Sequence, residues 1–226
     1  MSVELFLNGT LRSAEAKDKS NTSVPQSVHL KQQAEYVGQN QELVTKIQLC
    51  RKCRLGSLRT NAVPAMPGED YQTGGLAIFA EAPGKDEDAQ GKPMVGRAGG
   101  LLDVLLREGG THRRSVLVIN RVRCQPPRNR LQDYPDALTN CDEWTRAELE
   151  HYNPSVVILA GNTSMRAVFG MTANITAVRG TVRATSESFS YGKRLWVPTF
   201  HPAAVLRNSN LTQDVVSDIA LAVSLL

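Results

Sequence analysis

Four short apolar runs punctuate the chain: LAIFA at 76–80, SVLVIN at 115–120, SVVILAG at 155–161 and RLWVPTF at 194–200. Each is too short for a helix with a full buried face, and the reading for each is a buried strand. Between and after them, apolar residues recur at helical spacing. RAGGLLDVLLREGG (97–110) predicts a helix stopped by Gly109 and Gly110, and DALTNCDEWTRAELEHY (136–152) an amphipathic helix ended before Asn153–Pro154. NTSMRAVFG predicts a helix after the third strand, and VVSDIALAVSLL an apolar helix at the end. Apolar strands alternating with helices imply a parallel sheet covered on both faces. The expected fold class is α/β, a three-layer αβα sandwich with a central four-stranded parallel sheet.

Ahead of this alternation the pattern fails. Residues 1–40 are polar and turn-rich, and read as an N-terminal extension, poorly ordered or loosely docked, before a folded domain at 41–226. ELVTKIQLC, at the start of that domain, predicts a helix that delivers Cys50 near its end. In parallel sheets, ligands sit at the carboxyl ends of the strands. Three polar features fall there: Glu81 in EAPG, Asn120, and His201 in HPAA.

Composition narrows the partners. The 226 residues are 41% hydrophobic and 21% charged, which is ordinary globular usage. No apolar run approaches the ~18–20 residues of a membrane span, and no basic segment precedes the short apolar patch at the start, so the expectation is a soluble cytoplasmic monomer with no membrane partner. Net charge is +4, and from His112 to Gln132 there are six arginines (113, 114, 121, 123, 128, 130) and no acid. Such a stripe suits a phosphate backbone, or else is a solvated basic face. The four cysteines, Cys50, Cys53, Cys124 and Cys141, run C-x2-C, a long gap, then C-x16-C, which reads as one four-thiolate metal site. The ligand set alone fits iron–sulfur or zinc.

Several nucleotide and hydrolase chemistries are disfavoured. Gly84 and Gly91 have the wrong spacing for a Walker A loop, and Lys92 precedes proline. No G-x-G-x-x-G fingerprint is present, and Asp86, Glu87 and Asp88 would repel a cradled pyrophosphate. GNTSM is not a nucleophile elbow.

Together, EAPGKDEDAQGKPMVGRAGGLLD, NRVRCQPPRNR, the closing C-x16-C and HPAAVLR resemble the uracil-DNA glycosylase superfamily, more narrowly its iron–sulfur type, family 4. The resemblance covers roughly residues 41–226 in order. It implies a monofunctional DNA glycosylase that flips a pyrimidine out of DNA, hydrolyses its N-glycosidic bond and leaves an abasic site. It implies that the four cysteines hold a 4Fe–4S cluster at one side of the fold, stapling the first helix to the arginine-bearing loop. It assigns His201 a hydrogen bond to the base O2 as charge develops there, and Glu81 the attacking water or the cationic sugar. Glu87 is a weaker catalytic candidate, orienting His201 or water. Asn120 reads the base: its amide can pair with uracil or, flipped, with cytosine. Ala82, Pro83 and Gly84 line the base site. Arg97 and Gly99, at the helix start after GKPMVG, are expected on a DNA phosphate with Arg121, Arg128, Arg130 and Arg207, while Val205 or Leu206 wedges into the minor groove. Lys85 and Lys92 read as surface or phosphate contacts.

The chain departs from the family where GKPMVG places Met94 at the position of the usual base-stacking Phe, and where Ala80 replaces a common Gly. Either Met94 is tolerated in an ordinary uracil enzyme, or the pocket is reshaped for a modified pyrimidine, hydroxymethylated or glycosylated, as in phage DNA met in defence. A non-catalytic DNA-binding relative is the third reading.

Overall fold

A computed structural model describes residue 38 and residues 40–226. Most of the expected 1–40 extension lies outside the described residues. The described residues begin with helix α1 (40–49), followed by a single turn α2 (Leu55–Leu58) and a short strand β1 (Met66–Pro67). β2 (Leu76–Ala80), α3 (Lys85–Gln90), α4 (Arg97–Glu108), β3 (Val116–Asn120) and α5 (Pro135–Tyr152) come next. The second half holds β4 (Val156–Ala160), α6 (Asn162–Phe169), α7 (Ile175–Val178), β5 (Arg183–Ala184), β6 (Leu195–Thr199), α8 (Pro202–Arg207) and α9 (Thr212–Val223).

The sheet has six strands in the order β1-β3-β2-β4-β6-β5. The four strands read from the apolar runs are its parallel centre. The expectation of four strands is corrected by β1 and β5, which add an antiparallel strand at each edge. Both are two residues long, and Pro67 sits in one of them, where a missing ladder donor is tolerated. Two residues carry no periodicity, so no pattern announces them.

Alternate residues of the central strands bury against different helices. Leu76, Ile78, Val118 and Ile158 pack with α4 and α9 through Leu102, Leu105 and Ile219. Ala77, Phe79, Ile119 and Leu159 pack with α5 and α6 through Leu149, Tyr152 and Met165. Helix α5 begins with Pro135, pre-set for a first turn, and ends at Asn153 in the left-handed region, just before Pro154. Helix α3 was not legible as a helix. KDEDAQ is polar all round, yet Asp86, Glu87 and Asp88 lie in its first turn, where carboxylates favour the helix dipole, and Gly91 closes it at φ +68°. No helix among the described residues is long and apolar enough to cross a membrane.

An ion pair lies inside this packing. Arg123 and Glu148 are each 1% exposed and bonded through Nη2 and Oε2. Glu148 also accepts the Ala65 N–H at 2.7 Å, and Arg123 donates to the Asn120 carbonyl at 2.6 Å and to Thr145 Oγ1 at 2.9 Å. Removing one partner leaves a buried charge uncompensated. Glu148→Ala is therefore expected to lower unfolding stability by about 3–5 kcal/mol, seen as a lower urea midpoint. An unchanged midpoint would show that the pair is dispensable.

Candidate active site

The parallel strands β2, β3, β4 and β6 end at one edge, and residues at or just past their ends face a cavity of about 500 Å3. Glu81 comes directly after β2, Asn120 is the last residue of β3, Gly161 comes directly after β4, and His201 lies two residues beyond β6. All four line the cavity. Ala82, Pro83, Gly84 and Met94 line it as well, so the expected base-site residues come together in one place.

His201 caps α8. Its Nδ1 accepts the Ala203 N–H at 3.0 Å, which leaves Nε2 to carry the proton of the neutral ring. Burial lowers the imidazole pKa to about 4; Arg207 adds to the lowering and Glu87 opposes it. Gly161, at φ +95°, leaves the ring its space, because a Cβ there would come 3.2 Å from the Cβ of His201. Asn120 is buried at 3% exposure. Among the described residues its side-chain amide has no hydrogen-bond partner, so its donor and acceptor remain for a ligand.

The Glu81 Oε2 accepts the hydroxyl of Thr163, in the first turn of α6. The backbone around Glu81 is fixed by Arg121 N–H to the Ala80 carbonyl at 2.9 Å and Val122 N–H to the Glu81 carbonyl at 3.0 Å. Glu87 reaches the cavity but works as a brace: Oε2 accepts the Gly84 N–H at 3.0 Å, and Oε1 accepts Val95 and Gly96 N–H at 2.9 and 2.8 Å. Both oxygens hold the loop, so the Glu87 carboxylate braces the base-site backbone while it lines the cavity with His201.

Met94 is at φ +52°, 9% exposed. Its carbonyl accepts Arg113 Nη2 at 3.0 Å. Gly99 packs against that carbonyl so closely that a Cβ there would lie 1.8 Å from it. Gly99 N–H donates to the Gly96 carbonyl at 2.9 Å, so this glycine serves close packing and its N–H is not offered to a phosphate. Val205 is also corrected. It is 4% exposed inside the core, whereas Leu206 is 43% exposed and the candidate wedge falls to it alone.

The arginine stripe is largely neutralised from elsewhere in the chain. Arg113 pairs with Asp103, Arg114 with Glu69 and Asp70, Arg123 with Glu148 and Arg130 with Asp133. Arg121 is tucked in against Asp142 and the Tyr191 ring, which removes it as an outward phosphate contact. Arg130 is more than half exposed in its pair, which such pairing holds weakly. Arg128 is exposed, at φ +57°, with no carboxylate partner among the described residues. Arg97 and Arg207 are exposed at the start of α4 and the end of α8. Phe200, Asn129 and Thr163 escaped the sequence reading. The first two line the cavity, and only their places beside His201 and Arg128 could have hinted at it.

The cysteines carry no disulfide. Cys124 and Cys141 are buried in one apolar cluster with Leu55, Val122 and Leu131, and Cys53 packs against it. Burial pushes the Cys124 thiol up to about 11, against the pull of Arg59, and raises that of Cys141. Two side-chain donors point at sulfur: Arg59 Nη1 lies 3.2 Å from Cys124 Sγ and Trp144 Nε1 lies 3.3 Å from Cys50 Sγ. Among the described residues no group of three or more His, Cys, Asp or Glu side chains is closed to metal-ligating distance.

Residues 68–220 match the model of the uracil DNA glycosylase superfamily. The type-4 uracil-DNA glycosylase of Thermotoga maritima is 38% identical over 182 residues, 79% of this chain and 90% of its own. That of Sulfurisphaera tokodaii is 36% identical over 173 residues, 75% of this chain and 76% of its own. That of Archaeoglobus fulgidus is 34% identical over 182 residues, 78% and 88% of the two chains. With that extent of likeness, and with Glu81, Asn120 and His201 meeting in one cavity, the chain belongs to the uracil-DNA glycosylase superfamily and is type-4-like within it.

Proposed function

We propose that this protein is a monofunctional DNA glycosylase that excises uracil and leaves an abasic site. The observation that carries the reading is the convergence of a carboxylate, an unpartnered amide and a neutral imidazole in one cavity, in a chain like the type-4 enzymes over most of its length.

A uracil flipped into the cavity pairs its N3–H and O4 with the Asn120 amide. His201 Nε2–H donates to O2, where negative charge gathers as the C–N bond breaks. Glu81, held by Thr163, directs water at the sugar C1′ and offsets the positive charge growing there. The C1′–N1 bonding pair leaves with the base as its N1 anion, water supplies the new C1′–O bond, and the proton that the water gives up passes through solvent to the uracil anion. Arg97, Arg128, Arg130 and Arg207 hold phosphates, and Leu206 fills the gap in the stack.

Cys50, Cys53, Cys124 and Cys141 suit a 4Fe–4S cluster. Cys53, Cys124 and Cys141 share one apolar region, Trp144 at its edge donates to Cys50, and two of the four sulfurs have an N–H donor. Bound there, the cluster supplies no chemistry to the hydrolysis; it ties the end of α1 to the loop after β3 and to α5.

With labelled oligonucleotides and alkali cleavage, release of uracil is expected, and His201→Ala is expected to slow it by about 10²–10³-fold with DNA binding retained. Full activity in that variant would overturn the mechanism. Met94→Phe is expected to tighten binding of uracil-containing DNA, by roughly tenfold at most, without changing the base released. A change in the preferred base would show that Met94 selects it. Burial opposes protonation of His201, so nitrogen chemical shifts are expected to report the neutral Nε2–H form down to about pH 5. The native state keeps this ring neutral where an unfolded chain takes up a proton. The cost to the fold thus grows as pH falls below about 6.5 and levels off at its full value below about 4. Titration complete by about pH 6 would contradict the buried neutral ring.

A further inference from the structure

The four-thiolate centre is surrounded by groups that the hydrolysis does not use. Arg59, just after α2, is half-buried, and no carboxylate pairs with it among the described residues. Its guanidinium is shared between the carbonyls of Gln48, Cys50 (3.0 Å) and Ile47 (3.4 Å) and the sulfur of Cys124 at 3.2 Å. Two of those carbonyls end α1, so the cation sits at the negative end of that helix. A partly desolvated cation facing only carbonyls and a neutral thiol is poorly compensated; facing a thiolate, it is matched. Trp144 lies one turn beyond Cys141 on α5 and aims its indole N–H at Cys50 Sγ, 3.3 Å away. The Lys52 ammonium stands 5.3 Å over the indole ring and bonds Glu143, so a second cation backs that donor.

We infer that Arg59 and Trp144 are the residues that tune the cysteine centre, stabilising negative charge on its sulfurs and raising the reduction potential of the cluster it holds. The inference rests on the iron–sulfur reading above. Hydrogen bonds to sulfur and nearby positive charge favour the more negative, reduced state of a cluster. Arg59 has a second effect that Trp144 lacks. It ties the backbone of one ligand, Cys50, to the sulfur of another, Cys124, so its loss opens the site.

The test uses the holoprotein with Arg59→Gln, Arg59→Lys and Trp144→Phe. Film voltammetry gives the potential, and bleaching of the visible absorption by EDTA gives the rate of cluster loss. Arg59→Gln is expected to shift the potential negative and bleach several-fold faster. Arg59→Lys is expected to keep a near-native potential yet bleach faster, since it retains the charge without the fork. Trp144→Phe is expected to shift the potential negative with little change in bleaching. Native potentials in both Arg59→Gln and Trp144→Phe would overturn the inference. Should Arg59→Gln fail to fold, Trp144→Phe decides alone, because it removes one N–H to sulfur bond and no backbone tie. A colourless wild-type protein holding zinc would overturn the cluster reading itself, whereas a brown one with unmoved variants would overturn only the tuning role.

Discussion

The buried pair of Arg123 and Glu148 is the constraint on which the rest of the site depends. Two charges taken out of water cost several kcal/mol each unless their hydrogen-bonding groups are met. Here the partners that meet most of them come from three places: Ala65 leads into β1, Asn120 ends β3, and Thr145 lies on α5 one turn before Glu148, while Arg123 Nε finds no partner among the described residues. Arg123 therefore holds the carbonyl of Asn120, the residue proposed to read the base. The Arg123 carbonyl accepts Val63 N–H at 2.8 Å, and the residue after it is Cys124. One buried cation thus joins the end of β3 at Asn120 to the cysteine cluster, and the loop between them inherits its position from both.

The charge state of His201 is set by burial as well. A neutral imidazole is a modest donor to the ground-state O2 and a stronger one as that oxygen gains charge, so its interaction grows along the reaction. An imidazolium would attract the base oxygen already in the bound substrate, and part of its effect would be lost to uniform binding. Arg207, exposed at the far end of α8, helps keep the ring neutral while it lines the same cavity. The cation proposed to hold a phosphate therefore also acts on the ring.

What was legible in the sequence were features with a period or a motif. The central strands are apolar runs buried on both faces, and the strand-end residues Glu81, Asn120 and His201 stood out because the fold class places ligands at that edge. What was not legible depends on partners distant in sequence. A run of six arginines reads as a basic surface until Asp103, Asp142 and Glu148 arrive from other helices. The environment of Gly99 is decided by the carbonyl of Met94 and that of Val205 by the core around α4, neither of which local spacing reveals. Helix α3 was hidden because its surface is polar and its stability comes from caps: the Glu87 carboxylate on Gly84 N–H and a left-handed Gly91.

Methionine at position 94 is compatible with uracil because the backbone there is held by contacts that do not involve its side chain. Arg113 clamps the carbonyl, Glu87 holds the next two N–H groups, and Gly99 leaves the space for the turn. A ring or a thioether at this position therefore changes the face of the base site and leaves the loop intact. Stacking on that face tolerates any base, since every base has a π surface. Discrimination belongs to the buried edge, where a base that matches the Asn120 amide in neither orientation leaves it unpaired away from water, and such a mismatch costs more than the loss of a stacking contact. In the proposed reading Asn120 and His201 thus meet the edge of the base, and Met94 governs how tightly the flipped base is held.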